Sequence, residues 1–378
     1  MKHYSRSQVT KAGKKLKNKD YANESELKEL MDVLSFWRLA HEQPLNEAFK
    51  LLKSEALKID KKAIFGRRLK RYSSIVKKIT RFETMQLGNM RDIGGCRAIV
   101  TGQSKLEKLV RNLRKDNRFR GDNGSIRKRD YISNPKSDGY RSYHLIGMFS
   151  NQAQGNRFIE IQVRTRIQHD WATTLEIVDL FTGQALKSNV GKTQWKNFFK
   201  NVGKQFAVMD SISGFLNLSA QRQFEEYSKR VASDESVLES CENAQHSERN
   251  VNAIQKLNGF SQSLKFIEDE VKEVKSEGYV LIELDLNERL LKTTMFPETK
   301  SKEAEEIYTS LETMFINNPD TVIALISTSR VNDIRQAYPN FFGDSTEFIR
   351  YLHLINRIEA ERARPNMWMS ILKKAGFQ

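Results

Sequence analysis

The sequence predicts an α+β protein: a mixed β-sheet core flanked by helices, with a second, smaller α/β unit towards the C-terminus. Three observations carry this expectation. Residues 1–62 repeat apolar side chains at a helical period, as Leu27, Leu30, Met31, Leu34, Phe36 and Trp37 do within Ser25 to Ala40. Cys96 to Thr101, Tyr143 to Phe149 and Arg157 to Arg164 read as strands among helices and loops. After a long helical stretch, Gly278 to Leu286 opens a new series of strands and helices.

Gln43-Pro44 ends the first long helix, and Leu45 to Lys58 resumes the pattern. Residues 63–88 read as one basic helix, and Lys105 to Asn117 as a basic amphipathic one. Gly121 to Gly139 holds Gly121, Gly124, Pro135 and Gly139 among charges and reads as a long loop, a feature that inside a compact core is usually functional. Ile167 to Leu180 is a helix, and Gln194 to Lys275 is mostly helical, most polar at Asp234 to Asn250. Further strands are expected at Leu290 to Met295 and Thr321 to Ser327, with helices at Lys302 to Ile316, around Arg330 to Tyr338, and at Ser345 to Ile358. The expected boundaries are 1–272, divided into an N-terminal helical part (1–62), a core (63–185) and connecting helices (186–272), and a second unit at 273–378.

Charge divides the chain more sharply than hydropathy does. The net charge of +16 splits into +22 over residues 1–200, with 42 Lys and Arg against 20 Asp and Glu, and −6 over the remainder, with 21 against 27. A basic half fits a polyanion such as nucleotide phosphates or RNA, and an acidic half can bind the basic half of its own chain. No apolar run is long enough to span a bilayer, and Met1 to Lys19 is basic and polar, unlike a signal peptide. Cys96 and Cys241 lie far apart and give neither a disulfide framework nor a metal pattern, so a reducing cytoplasm is the expected compartment.

Four segments carry candidate chemistry. In Arg67-Arg68-Leu69-Lys70-Arg71-Tyr72-Ser73-Ser74, continuing to Lys78, the residues Arg68, Lys70, Ser74 and Lys78 can converge on a triphosphate, Arg by forked contacts and Lys as point charges. Asp92, in Arg91-Asp92-Ile93-Gly94-Gly95, stands at a strand entrance, where a carboxylate can hold Mg²⁺. The stretch from Asp130 to His144 offers Lys136 and Arg141 for phosphates, with Gly139 turning the chain so that Tyr140 can stack on a base. In Ile159 to Thr165, Glu160, Gln162 and Arg164 alternate with Ile161 and Val163 and so share one face; Glu160 can bind metal and take a proton. Each segment alone also fits a plain structural role: a solvated basic helix, a cap, a Pro/Gly turn, an amphipathic edge strand.

Taken in order, the four segments resemble the synthetase domain of the RelA/SpoT family over about residues 63–180. The carrying motifs are Arg68-x-Lys70 with Ser74-Ile75-x-x-Lys78, Arg91-Asp92-Ile93-Gly94-Gly95-x-Arg97, Tyr131-Ile132-x-x-Pro135-Lys136-x-x-Gly139-Tyr140-x-Ser142-x-His144, and Glu160-Ile161-Gln162-x-Arg164-Thr165. The resemblance implies a nucleotidyltransferase-like core. In it Arg68, Lys70, Ser74 and Lys78 bind ATP, while Asp92 and Glu160 are the catalytic pair holding Mg²⁺. Tyr140 stacks on the acceptor base, with Lys136, His144, Gln162 and Arg164 around it. The implied reaction is attack of a ribose hydroxyl on the β-phosphorus of ATP, with release of AMP. The hydrolase domain of the long bifunctional members is not expected, because about 62 residues precede the core and they hold no His-Asp cluster.

A narrower resemblance, to the phage-defence branch called CapRel, rests on Tyr4-Ser5-Arg6-Ser7-Gln8-Val9, Trp37-Arg38-x-x-His41-x-x-Pro44-Leu45, His169-x-Trp171-Ala172-Thr173 and Phe181 to Ser188. It implies a toxin fused to its antitoxin, residues 278–358 being similar to a zinc-finger-like antitoxin domain without metal ligands. The implied acceptor is the 3′ CCA end of tRNA. Lys11, Lys14, Lys15, Lys17, Arg111, Arg114 and Lys115 are its candidate contacts. Phe348 and Tyr351 are candidates to fill the adenine position in an autoinhibited state, which a phage protein such as a capsid protein would release; packing in the core of their own domain is the equal alternative for both. Two other readings stay open: a small (p)ppGpp synthetase using GDP or GTP, and an inactive RNA-binding module.

Overall fold

The computed structural model describes residues 3–150, 155–182, 186, 191–258, 278–285, 290–315, 318, 321–328 and 345–362. Three helices lead: α1 (Arg6–Asn18), α2 (Glu24–Leu39) and α3 (Glu42–Leu57). Ser5 and Gln8 cap α1 reciprocally, satisfying amides that the first turn leaves without partners. The α2–α3 break falls at Ala40 and His41 rather than at Gln43-Pro44, because Pro44 sits in the first turn of α3, where its missing N–H is not needed.

The central sheet is five-stranded and mixed, in the order β1-β2-β5-β4-β3. Its strands are β1 (Ile64–Leu69), β2 (Gly94–Val100), β3 (Lys128–Asp130), β4 (Tyr143–Phe149) and β5 (Arg157–Thr165). Two expectations are corrected here. Residues 63–88 are not one helix: Ile64–Leu69 pairs antiparallel with β2, and helix α4 starts only at Tyr72 and runs to Arg81. The β-branched and aromatic start Ile64-Phe65 and the turn at Lys70-Arg71 outweigh the helical spacing of the basic residues. The long loop of 121–139 is also interrupted, by Lys128–Asp130 pairing with the β4 edge.

Side-chain alternation divides the sheet into two faces. Cys96, Ala98, Leu145, Ile161 and Val163 pack beneath α3 and α5 (Gln103–Leu113) in one apolar core. The opposite face carries the polar set. The registers Arg68↔Gly95↔Glu160 and Arg97↔Gln162↔His144↔Arg129 align these residues in two rows across the strands. Gly95 leaves the space between Arg68 and Glu160 clear, since a Cβ there would meet only the Glu160 carbonyl oxygen, at 3.6 Å.

A helical layer follows: α6 (Arg166–Thr182), α7 (Thr193–Ser211), α8 (Ala220–Ala232) and α9 (Glu235–Val251). The second sheet, β7-β6-β8, is antiparallel and joins β6 (Gly278–Asp285), β7 (Leu290–Pro297) and β8 (Thr321–Thr328). It is accompanied by α10 (Ser301–Met314), and the last described helix is α11 (Thr346–Arg362). Leu281, Phe296, Ala304, Tyr308 and Ile323 of the sheet and α10 share a core with α1, α2 and α4. α11 packs elsewhere: Phe348, Tyr351, Leu352 and Ile355 enter the core of α6, α7 and α9. The strand–helix series expected over 278–358 is therefore divided in space. Its expected start at 273 and the helix around Arg330 to Tyr338 lie outside the described residues.

Candidate active site

Lys70 follows β1, held by its amide to the Ile93 carbonyl at 2.7 Å, and its ammonium reaches Asp92 Oδ2 at 3.0 Å. Lys78, one turn beyond Ser74 on α4, donates to the same oxygen at 2.7 Å. Burial works against ionised Asp92, but the two lysines outweigh it and hold the carboxyl below the usual range. Burial lowers Lys70, and Asp92 offsets part of that shift. Asp92 Oδ1 is buried and makes no hydrogen bond. One oxygen of this carboxylate thus carries two ammoniums while the other is left for a further ligand.

On β5 and β4 a continuous relay runs along the polar face. Arg164 donates to Tyr140 Oη at 2.7 Å and to Gln162 Oε1 at 2.9 Å. Tyr140 Oη and His144 Nε2 are 2.9 Å apart, and His144 Nδ1 lies 3.0 Å from Glu160 Oε1. Gln162 donates to Glu160 Oε2 at 2.7 Å. One proton arrangement satisfies every pair: Tyr140 donates to Nε2, and Nδ1–H donates to Glu160. Burial lowers His144, despite the Glu160 carboxylate, and keeps the ring neutral. Burial alone would raise Glu160, but the hydrogen bonds from His144 and Gln162, together with Lys70, hold it ionised, below the usual carboxylate range. With His144 neutral, its contribution is the hydrogen bond rather than a full charge.

Between the two groups lies a cleft of about 290 Å³. It is lined by Arg68, Lys70, Lys78, Asp92, Lys136, Tyr140, His144, Glu160, Gln162 and Arg164, so ten of the eleven residues expected at the ATP, acceptor and metal positions meet in it. The eleventh, Ser74, lies on α4 beside Lys78 and is half-buried. Arg68 and Lys70 reach the cleft from a strand and the turn after it, not from a helix.

Tyr140 departs from an open stacking platform. It is half-buried, with Lys136 Nζ at 4.7 Å and Arg164 Cζ at 5.2 Å from its ring centroid, and Tyr131 packed edge-on at 5.7 Å. A base stacking there takes the place of the Lys136 ammonium. Gly139 makes the approach possible: its φ is +93°, and a Cβ would stand 3.1 Å from the Phe199 carbonyl oxygen. Sequence reasoning missed Arg129 and Tyr131 as lining residues. The alternation of β3 against β4, which puts Arg129 opposite His144, is the signal that finds the first.

The remaining candidates lie away from the cleft. Lys11 and Lys14 are exposed on α1, while Lys15 pairs with Glu26 and Lys17 donates to the Glu83 carbonyl. Arg111, Arg114 and Lys115 are exposed on and just after α5, across the sheet from the polar face. Phe348 and Tyr351 are fully buried among Phe198, Phe206 and Phe215. Neither lines the cleft: each fills a helical core. Among the described residues no group of three or more metal-ligating side chains forms, and no helix is long and apolar enough to cross a membrane.

Residues 67–177 match the family described as the region found in RelA/SpoT proteins, and every cleft residue named above falls inside that span. This segment is thus similar to the region found in RelA/SpoT proteins. Two Bacillus subtilis (strain 168) proteins are similar to part of the chain. GTP pyrophosphokinase YjbM is 32% identical over 111 residues, which are 28% of this chain and 51% of that one. GTP pyrophosphokinase YwaC is 33% identical over 114 residues, 28% and 52% of the two chains. The chain spans about half the length of these curated relatives. Among solved structures, the small alarmone synthetase 1 from Bacillus subtilis is 22% identical with a TM-score of 0.42, covering 49% of this chain and 96% of that one. The same synthetase bound to its product pppGpp is 23% identical with a TM-score of 0.38, covering 46% and 93%.

Proposed function

We propose that the chain is an ATP pyrophosphokinase that transfers the β,γ-pyrophosphate of ATP to a ribose 3′-hydroxyl. The observation that carries this reading is the division of one cleft into two charged halves: Lys70, Lys78 and Asp92 on one side, and the relay ending at Glu160 on the other. Arg68, Lys70, Ser74 and Lys78 take the donor phosphates, which draw the two ammoniums away from Asp92. Asp92 and Glu160 suit Mg²⁺: both are held ionised, each charge disfavours the other, and Asp92 Oδ1 is buried without a partner. Bound there, Mg²⁺ would neutralise charge developing on the transferred group. A carboxylate held so far below the usual range serves better as a ligand and orienter than as a strong base. In a loose phosphoryl-transfer transition state the acceptor proton is lost late, so positioning matters more than basicity. Gln162, His144 and Tyr140 fix Glu160, and Lys136 and Arg164 face the acceptor.

The acceptor we propose is the 3′ CCA end of tRNA, as part of phage defence. The +22 balance of residues 1–200 supports it, because gripping a nucleic acid uses many phosphate contacts. GDP or GTP is the second reading, favoured by the names of the two curated relatives. Incubating the full chain with labelled ATP plus either tRNA or GDP separates them: label on GDP and none on tRNA would sink the tRNA reading.

We also assign control to the C-terminal part, through α10 rather than α11. Tyr308 stacks on Tyr72 at 6.0 Å, and Glu312 accepts from the Ser73 amide at 3.3 Å, both at the start of the helix bearing Ser74 and Lys78. A phage protein, such as a capsid protein, binding this part would shift an existing closed–open equilibrium. Removing residues 273–378 would also strip α11 from its core, so point substitutions test the idea better. Tyr308→Ala with Glu312→Ala should make expression toxic and raise transfer at least tenfold; a harmless, equally slow variant refutes control through α10.

A further inference from the structure

The motif Trp37-Arg38-x-x-His41 lies outside the matched 67–177 segment, and the chemistry above leaves it without a part. His41 is a packing residue: it is 1% exposed, with Nδ1 2.8 Å from the Trp37 carbonyl. Arg38 is different. It is 6% exposed on α2, and its Nε donates to the Lys70 carbonyl at 3.0 Å. Its guanidinium lies 4.9 Å from the ring of Tyr72 and 5.4 Å from that of Tyr308. Nη1 makes no hydrogen bond, and its ion-pair partner Glu305 stands 3.8 Å away.

Burying a guanidinium is expensive unless its donors are used. An apolar residue would pack α2 against α4 equally well. The donor that Arg38 does use goes to the backbone of Lys70, in the turn between the end of β1 at Leu69 and the start of α4 at Tyr72. That turn sets where the Lys70 ammonium, and with it Asp92, stands in the cleft. We propose that Arg38 is a positioning residue for the donor-phosphate half of the site, fixing Lys70 through its carbonyl. This rests on the donor-site reading above. The Tyr72 face and the Lys70 bond belong to α2 and the 70–72 turn, so Arg38 holds the turn whether or not α10 is docked; Tyr308 only covers its other face.

The test is binding of a non-hydrolysable ATP analogue with Mg²⁺, and separately of the acceptor, to the full chain in the wild-type and Tyr308→Leu backgrounds. Arg38→Met, which keeps the stem and removes the donor, should weaken analogue binding roughly tenfold in both backgrounds and leave acceptor affinity unchanged. Arg38→Lys should lie between, since an ammonium can reach the carbonyl without the planar stack. If Arg38→Met does not fold, Arg38→Lys reads the same quantity. Unchanged analogue affinity in a folded variant, or equal losses for donor and acceptor, overturns the proposal. If neither background binds the analogue before Arg38 is altered, the donor-site reading fails, and this proposal with it.

Discussion

Tyr140→Phe separates two roles that the cleft assigns to one ring. Phenylalanine keeps the face on which a base would stack and removes only the hydroxyl. That hydroxyl is bonded on both sides, to Arg164 at 2.7 Å and to His144 Nε2 at 2.9 Å. Its loss leaves Nε2 and one guanidinium N–H without partners. Each orphaned group costs about 1–3 kcal/mol, less where the open cleft admits water. A net ~1.5–3 kcal/mol in the transition state lowers kcat about 10- to 100-fold, at roughly 1.4 kcal/mol per factor of ten. The pH profile moves as well. A hydroxyl donating to Nε2 favours the neutral ring, so removing it raises His144, while burial still holds it below the ordinary histidine range. Protonated His144 cannot keep the relay, and the acid limb of kcat therefore shifts to higher pH. The assay is kcat and acceptor KM from about pH 5 to 9 for both proteins. A higher acceptor KM with unchanged kcat and an unmoved acid limb would refute the relay and leave Tyr140 as a platform only.

Two further outcomes test the scaffold. Burial pushes the Asp210 carboxyl up to about 6, against hydrogen bonds from Thr165 and Gln168. An acid whose folded pKa is raised destabilises the fold increasingly as pH rises from ~4 to ~6, and fully above that. Asp210→Asn, whose carbonyl can accept both bonds, should therefore be more stable than wild type at pH 8 by up to about 3 kcal/mol, two units at 1.36 each. The gap should close near pH 4 in urea melts, and a gap independent of pH would contradict the assignment. Gly139→Ala forces a side chain onto a positive φ beside the Phe199 carbonyl oxygen. It should cost roughly 1–3 kcal/mol of stability and raise acceptor KM more than ATP KM; equal rises in both would place the damage elsewhere.

Much of the site was legible because it is written in short, local patterns. The alternation of Glu160, Gln162 and Arg164 gave their shared face directly, and pairing with β4 then places His144 opposite Gln162. What misled was the basic run around Arg68. Charge spacing cannot distinguish a helix from a strand, a turn and a helix in succession, and the antiparallel pairing of Ile64–Leu69 with β2 is a non-local fact. Arg129 was hidden for the same reason, on a three-residue strand whose only signal is its partner. Phe348 and Tyr351 were legible as core residues, but which core they join was not. Their three-residue spacing is that of a buried helical stripe, and the structure buries it against α7, in a part of the molecule that the chain order does not suggest.

The central claim is that a pyrophosphate, not a single phosphate, leaves ATP, with Glu160 essential. The direct measurement follows the full chain with ATP labelled at the β-position, resolving AMP, ADP and labelled acceptor, for wild type and Glu160→Gln. The account predicts one AMP released per labelled acceptor in the wild type, and a loss on the order of 10³-fold in the variant with ATP-analogue binding largely kept. Release of ADP with an unlabelled acceptor, or a Glu160→Gln variant as fast as wild type, would contradict it.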